Sequence, residues 1–195
     1  RDAFTRSMVK RVAEVSAGLE EVSYASMGCG HLRFDFTFLE SLLAAGVPVA
    51  SVHLVDLCYF ADDKDHEASK AASRLALAQF AAWFTVRGVD VFCHEDLEKF
   101  AFRARQAKLL PAAIMQVDCS ELTWVFDQTV KPMVEEVLRY GGLFCALTAR
   151  EGASGVGSEG SLDAWGEVWR LTPETGRMKL ASKLRYRPGQ GEKQL

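Results

Sequence analysis

Four short groups in this chain place glycine or an acid at the end of an apolar run: Gly28-Cys29-Gly30, Asp56, His94-Glu95-Asp96 and Asp118. Glycine lets a backbone pass close to a ligand. An acid after a second strand is placed to bond a ribose diol. An acid or amide after a third strand can bond the amino group of an adenine. In an open parallel sheet, ligands bind beyond the carboxyl ends of the strands, where strand order reverses, and the fourth strand end usually faces the reacting group.

Each group also has a plainer reading. Asp56 suits a loop cap. The His94 group could bind adenine or a metal; its plainer and preferred reading is a helix start, with Glu95 and Asp96 favouring the positive end of the following helix. Asp118 or Ser120 suits a helix N-cap as well as a catalytic role. His31, just past the glycines, fits a general base or an exposed ring. Cys119 fits a nucleophile only if its thiol pKa is lowered, and no neighbour in sequence would lower it.

The elements that must position these groups follow from periodicity. Phe4, Met8, Val12 and Val15 fall on one face of a helix from Asp2 to Gly18. Strands are expected at Val22–Met27, Val49–Val55, Val89–Cys93, Ala112–Val117 and Leu143–Thr148. Between them run helices at Phe36–Ala45, Glu67–Val86, Asp96–Leu109 and Leu122–Arg139, the third with a basic outer face (Lys99, Arg103, Arg105, Lys108) and the last bent near Pro132. Phe80, Trp83, Phe84 and Trp124 lie at helical spacing and are expected in the core. Alternating strands and helices imply a parallel sheet covered on both faces. The segment 61–67 is loop-like, and Gly and Ser make 151–160 a loop. Val168–Leu171 and Met178–Leu184 form a closing β-hairpin around Pro173-Glu174-Thr175-Gly176.

Composition bounds the rest. The 195 residues suit one domain over 1–195, with an N-terminal helix within 1–20 and a closing hairpin and basic tail over 165–195. A domain of that size buries roughly 70% of the surface its unfolded chain exposes. No apolar run is long enough for a membrane span. A net charge of −3 argues against bulk electrostatic binding of nucleic acid. Charge is unevenly placed, however: Trp165–Leu195 carries seven Lys/Arg against three Glu, a local excess of +4 that leaves −7 for the remainder. That end could meet RNA or an acidic protein, or be a plain solvated face. The five cysteines are odd in number and contain no Cys-x-x-Cys, so reduced thiols, an intracellular setting and no zinc or other metal site are expected.

Three pieces of the chain carry a resemblance to class I S-adenosylmethionine-dependent methyltransferases, running from about Val22 to Thr148 and, with the hairpin, to about Tyr186. Ala25-Ser26-Met27-Gly28-Cys29-Gly30 looks like the family's glycine motif. Asp56 stands where the family's ribose-binding acid stands. Leu138-Arg139-Tyr140-Gly141-Gly142-Leu143-Phe144 resembles the stretch that opens the family's fifth strand. The resemblance implies an α/β fold with a doubly wound, mostly parallel, seven-stranded sheet and a C-terminal β-hairpin. It implies S-adenosylmethionine as cofactor: Gly28 and Gly30 along its methionine part, Asp56 on its ribose, Asp96 and Leu97 by its adenine, Asp118 near its methyl group. Ser26 stands where the family has an acid bonding the cofactor's amino group, and Leu32 where a third glycine is common.

The implied activity is methyl transfer to an acceptor that the sequence does not name: a small molecule, a protein or RNA. No Asn/Asp-Pro-Pro-Tyr/Phe motif follows the fourth strand, and no Lys-Asp-Lys-Glu set of ribose 2′-oxygen methylation is present. The alternative, favoured by Ser26 and Leu32, is a methyltransferase-like domain without catalysis that serves as an interaction or assembly module. A nicotinamide-binding reading has only Gly-x-Gly, since Arg33 stands at its third glycine position.

Overall fold

The computed structural model describes residues 2–60, 67–107, 109–117, 119, 125–150, 163–187 and 191–194. Helix α1 (Asp2–Val15) leads into strand β1 (Val22–Met27), helix α2 (Arg33–Ala44) and strand β2 (Val49–Val55). A 3₁₀ turn (Leu57–Tyr59) follows, then α3 (Glu67–Thr85), β3 (Asp90–His94), α4 (Leu97–Gln106) and β4 (Pro111–Val117). A π turn (Phe126–Val130) runs into α5 (Lys131–Val137), which precedes β5 (Leu143–Arg150). The chain then makes three strands without an intervening helix among the described residues: β6 (Asp163–Thr172), β7 (Arg177–Arg187) and β8 (Gly191–Gln194).

All eight strands form one sheet in the order β3-β2-β1-β4-β5-β6-β7-β8. Neighbours from β3 to β5 are parallel, and from β5 to β8 antiparallel. Chain order reverses between β1 and β4, which makes the carboxyl ends of those two strands the switch point where such sheets take ligands. The expected parallel sheet and closing hairpin are present. The strand number is corrected: part of what read as a basic tail adds an eighth strand by pairing with β7, Leu184 to Gln194 through Arg187 to Gly191.

The sheet has two apolar faces because alternate residues of a strand point to opposite sides. Tyr24, Leu54 and Met115 face α1, α2 and α3, where Phe4, Met8, Phe38, Leu42, Phe80 and Phe84 complete one core. Ala25, Val55 and Ile114 face α4 and α5, where Phe100, Ala104, Val134 and Val137 complete the other. Each fully buried Leu, Phe or Met contributes roughly 1.5–3 kcal/mol relative to exposure. Trp83 departs from the expected core placement. It is 43% exposed, bonds Glu40 through its ring N–H, and lies under the Arg87 guanidinium. Trp124 lies outside the described residues, as do most of the two loop-like segments.

Two further differences have local causes. α2 begins at Arg33 rather than Phe36, because Leu32 takes the left-handed turn that ends the glycine loop and lets the helix start at once. The helix expected over 122–139 is a π turn up to Val130 and an α-helix from Lys131, with Pro132 in the first turn, where a missing N–H costs no hydrogen bond. Gly142 opens β5 because nothing larger fits. A Cβ there would stand 2.7 Å from the Arg139 carbonyl oxygen and 2.8 Å from that of Ala112.

Candidate functional site

At the switch point the glycine turn and the second strand end are tied into one unit. Gly28 and Gly30 both take positive φ, 67° and 51°. The Gly28 amide donates to the Val55 carbonyl at 2.9 Å. The Gly30 amide donates to Asp56 Oδ2 at 2.6 Å, and the Cys58 amide to Asp56 Oδ1 at 2.9 Å. Asp56 thereby caps the 3₁₀ turn and clasps the glycine loop with one carboxylate. The turn is closed from the other side by Tyr59, whose hydroxyl donates to the Gly30 carbonyl at 2.7 Å. Burial raises the Tyr59 hydroxyl pKa well above its ordinary value, so it stays a donor. Burial likewise pushes the Cys58 thiol up to about 12.

Leu32, at the third-glycine position, adopts φ 60°, the conformation a glycine there would favour. Its side chain is turned into the core beneath α2 and is 2% exposed. Cys119 packs against the turn at Gly28. A Cβ on Gly28 would stand 2.5 Å from Cys119 Sγ and 2.6 Å from Cys119 Cβ. The absence of a side chain at Gly28 is therefore what admits Cys119 from the end of β4.

Ser26 is 2% exposed and hydrogen-bonds the carboxyl of Asp35. Asp35 is itself 1% exposed and accepts from the Tyr24 hydroxyl at 2.6 Å. Burial raises the pKa of both the Asp35 carboxyl and the Tyr24 hydroxyl. An acid missing from position 26 is thus present at 35, underneath it. Asp35 has a sequence signature. It stands on the apolar stripe of α2, one helical turn before Phe38 and Leu39. Tyr59 has none, because its partner lies 29 residues back in the chain.

The remaining candidates separate. Asp96 is the N-cap of α4: its Oδ1 accepts from the Lys99 amide at 2.7 Å. Glu95 pairs with the Lys99 ammonium. Leu97 packs against the second core. His31 is exposed, with Nδ1 3.5 Å from Ser73 Oγ. Asp118 lies outside the described residues. Among the described residues no group of His, Cys, Asp and Glu side chains is gathered as a metal would need, and no helix is long and apolar enough to cross a membrane. None of the five cysteines forms a disulfide, and burial pushes Cys93 and Cys145 up to about 11 and about 12.

The chain has the methyltransferase-like α/β fold of class I S-adenosylmethionine-dependent enzymes. The likeness that carries this is to the crystal structure of the DszA carbon methyltransferase: TM-score 0.52 and 13% identity, over 77% of this chain and 36% of that one. Similarity also extends to an O-methyltransferase family protein from Burkholderia thailandensis (TM-score 0.44, 19% identity, 74% of this chain and 38% of that one). A third similar structure is a putative class I methyltransferase from Listeria monocytogenes (TM-score 0.46, 14% identity, 76% and 45%). The chain spans less than half the length of each of these structures. Neither a family model nor a curated protein matches the sequence.

Proposed function

We propose that the chain binds S-adenosylmethionine at the β1/β4 switch point and takes part in methyl transfer to an acceptor. One observation carries the reading. The Asp56 carboxylate and the Gly30 amide meet at 2.6 Å, so the glycine turn and the acid after β2 form a single wall. An ionised carboxylate offers about four lone-pair sites. The amides of Gly30 and Cys58 use two, and the others are available to the two hydroxyls of a ribose.

The residues fit the cofactor unequally. At the ribose end Asp56 has the chemistry and the capacity. At the methionine end the space that Gly28 opens is taken by Cys119, so the Cys119 side chain becomes the nearest neighbour of whatever enters. By resemblance, Gly28, Gly30, Ser26 and Asp118 belong to that end, and Asp96 and Leu97 to the adenine end. When bound, the cofactor supplies an activated methyl group. The chain's own part is to hold two reactants in register, which accounts for much of such catalysis without any strong acid–base motif.

Calorimetric titration with S-adenosylhomocysteine tests this without knowing the acceptor. Micromolar binding that falls at least tenfold in a folded Asp56→Ala variant is the expected result. No heat and no thermal shift at millimolar ligand would overturn it.

A second reading is favoured by Ser26 and by the hairpin. Ser26 is committed to Asp35 in the core, where the family has an acid facing the cofactor. On the hairpin, Arg170 and Lys179 stand directly opposite each other, both exposed. Like charges in that position are unfavourable unless an anion shares them. In this reading the chain is an assembly module without catalysis, and its basic end contacts RNA. Salt-dependent RNA binding that weakens when Arg170 and Lys179 are neutralised is expected; binding unchanged by those substitutions would remove the hairpin from consideration.

A further inference from the structure

Strand β3 is one edge of the sheet: β2 lies on one side of it and no described strand on the other. Natural edges are usually blunted by lysine, proline or a bulge. β3 reads Asp-Val-Phe-Cys-His, holds neither lysine nor proline, and runs beside β2 without a register shift. The His94 carbonyl accepts from the Asp56 amide at the end of β2. Backbone groups of successive residues in a strand point to opposite sides. Those of Asp90 and Phe92 therefore also turn to β2, and those of Val91 and Cys93 turn to the open edge.

Charge and apolar surface follow a definite order along this edge. Asp90, Phe92 and His94 share the face toward α4, because alternate residues point to one side. His94 is buried and meets buried His53 ring to ring, Nε2 to Nδ1, at 3.0 Å. Phe92 stacks on His53 at 5.1 Å yet is 45% exposed. Arg103 of α4 stands beside His94: burial first, and then the Arg103 charge, push that imidazole down to about 4. Arg103, Asp90 and Phe92 line one open cavity of about 420 Å³. Asp90 and Arg103 are both exposed, and neither forms an ion pair with a described residue.

We propose that a second copy of this chain docks on this edge, its β3 antiparallel to the first about a two-fold axis at Phe92, so that the two sheets become one. In that register Val91 of each copy exchanges both N–H···O bonds with Cys93 of the other, which pairs every outward N–H and C=O of the two strands. An axis at any other residue leaves some of them unpaired. Phe92 meets Phe92 at the close, non-hydrogen-bonded position, as an aromatic cross-strand pair. Asp90 of each copy stands opposite His94 of the other, and so beside its Arg103. Two reciprocal ion pairs result, as a two-fold interface requires. The same charges fix the sense of pairing, since a parallel copy in register would set Asp90 beside Asp90. Five residues at about 3.4 Å each make a seam of about 17 Å. A seam that short belongs with weak interfaces, below about 1,200 Å² in total, so the dimer forms at micromolar concentration and above.

Sedimentation velocity from micromolar to sub-millimolar protein tests this. The chain as it stands passes from monomer to dimer over that range. Asp90→Arg and Arg103→Asp, both at exposed side chains, each weaken the dimer at least tenfold by setting like charges across the axis. An equimolar mixture of the two single variants recovers association, because each then supplies the charge the other lacks; an ion pair confined to one chain gives no such recovery. Phe92→Lys abolishes the dimer and leaves the far-ultraviolet circular dichroism unchanged. Phe92→Cys, oxidised in air, joins two copies through residue 92 itself, as peptide mapping shows. A chain that stays monomeric at sub-millimolar concentration overturns the proposal and leaves the edge to a strand of another protein. So does a mixture that fails to recover, or a dimer that survives Phe92→Lys.

Discussion

Asp56 Oδ2 lies 2.6 Å from the Gly30 amide nitrogen, joining the end of β2 to the loop after β1 across 26 residues of sequence. The same carboxylate holds the Cys58 amide through its other oxygen. A group read as a ligand contact is therefore also a structural clasp. Asp56→Ala should lower stability by about 2 kcal/mol, the order expected when a partly exposed, charge-assisted pair of bonds is lost. Tyr59→Phe, which removes the bond to the Gly30 carbonyl and the weaker contact with Cys29 Sγ, should cost about 1 kcal/mol. Urea unfolding checks both, and the double variant should deviate from additivity because the two bonds brace one turn.

Leu32 combines a buried side chain with a left-handed backbone. Leu32→Ala loses packing, a cost of roughly 2–5 kcal/mol, and keeps the strain. Leu32→Gly loses the same packing but relieves about 1 kcal/mol of backbone strain. The glycine variant should be the more stable of the two. The opposite order in thermal unfolding would remove the strain argument.

Gly28→Ala meets Cys119 Sγ at 2.5 Å and Cβ at 2.6 Å, and its φ of 67° disfavours any side chain. Cys119→Ala leaves the Cβ contact and should rescue little. Cys119→Gly removes the steric part and leaves only the backbone cost, about 1–2 kcal/mol. Melting temperatures of the single and double variants decide this.

The His53–His94 pair makes stability fall on the acid side. Both folded-state pKa values are depressed, from 6.5 to about 4, so the unfolded chain binds protons first. Stability is complete above about pH 6.5 and is lost as pH falls toward 4, with a slope of about 1.4 kcal/mol per pH unit for each imidazole that must stay neutral. The charges around the pair are Glu21 before β1, Asp90 on β3, and Asp96 and Arg103 at α4; of these Asp96 opposes and Arg103 reinforces the shift on His94. His53→Phe should flatten the pH dependence of the urea midpoint between pH 7 and 4.5. An unchanged profile would mean that other groups set it.

The local pattern of the sequence already specified the order of elements, the two-sided sheet, the helix stripe of Phe4, Met8 and Val12, and the place of Gly28, Gly30 and Asp56 at adjacent strand ends. Periodicity encodes which face of a strand or helix is apolar, and that is a property of neighbours in the chain. The helix-capping role of Asp96 was legible for the same reason: its partner is the amide of Lys99, one turn on. What Asp56 holds, where Leu32 points and what covers Gly28 were decided only by tertiary structure. So was the meeting of His53 with His94, which depends on β2 and β3 pairing with Val55 opposite His94. These contacts join residues that are distant in sequence, and strand order and register bring them together. An alternation of apolar and polar residues fixes the side on which a residue lies, and leaves its partner to be chosen by the packing of the whole sheet.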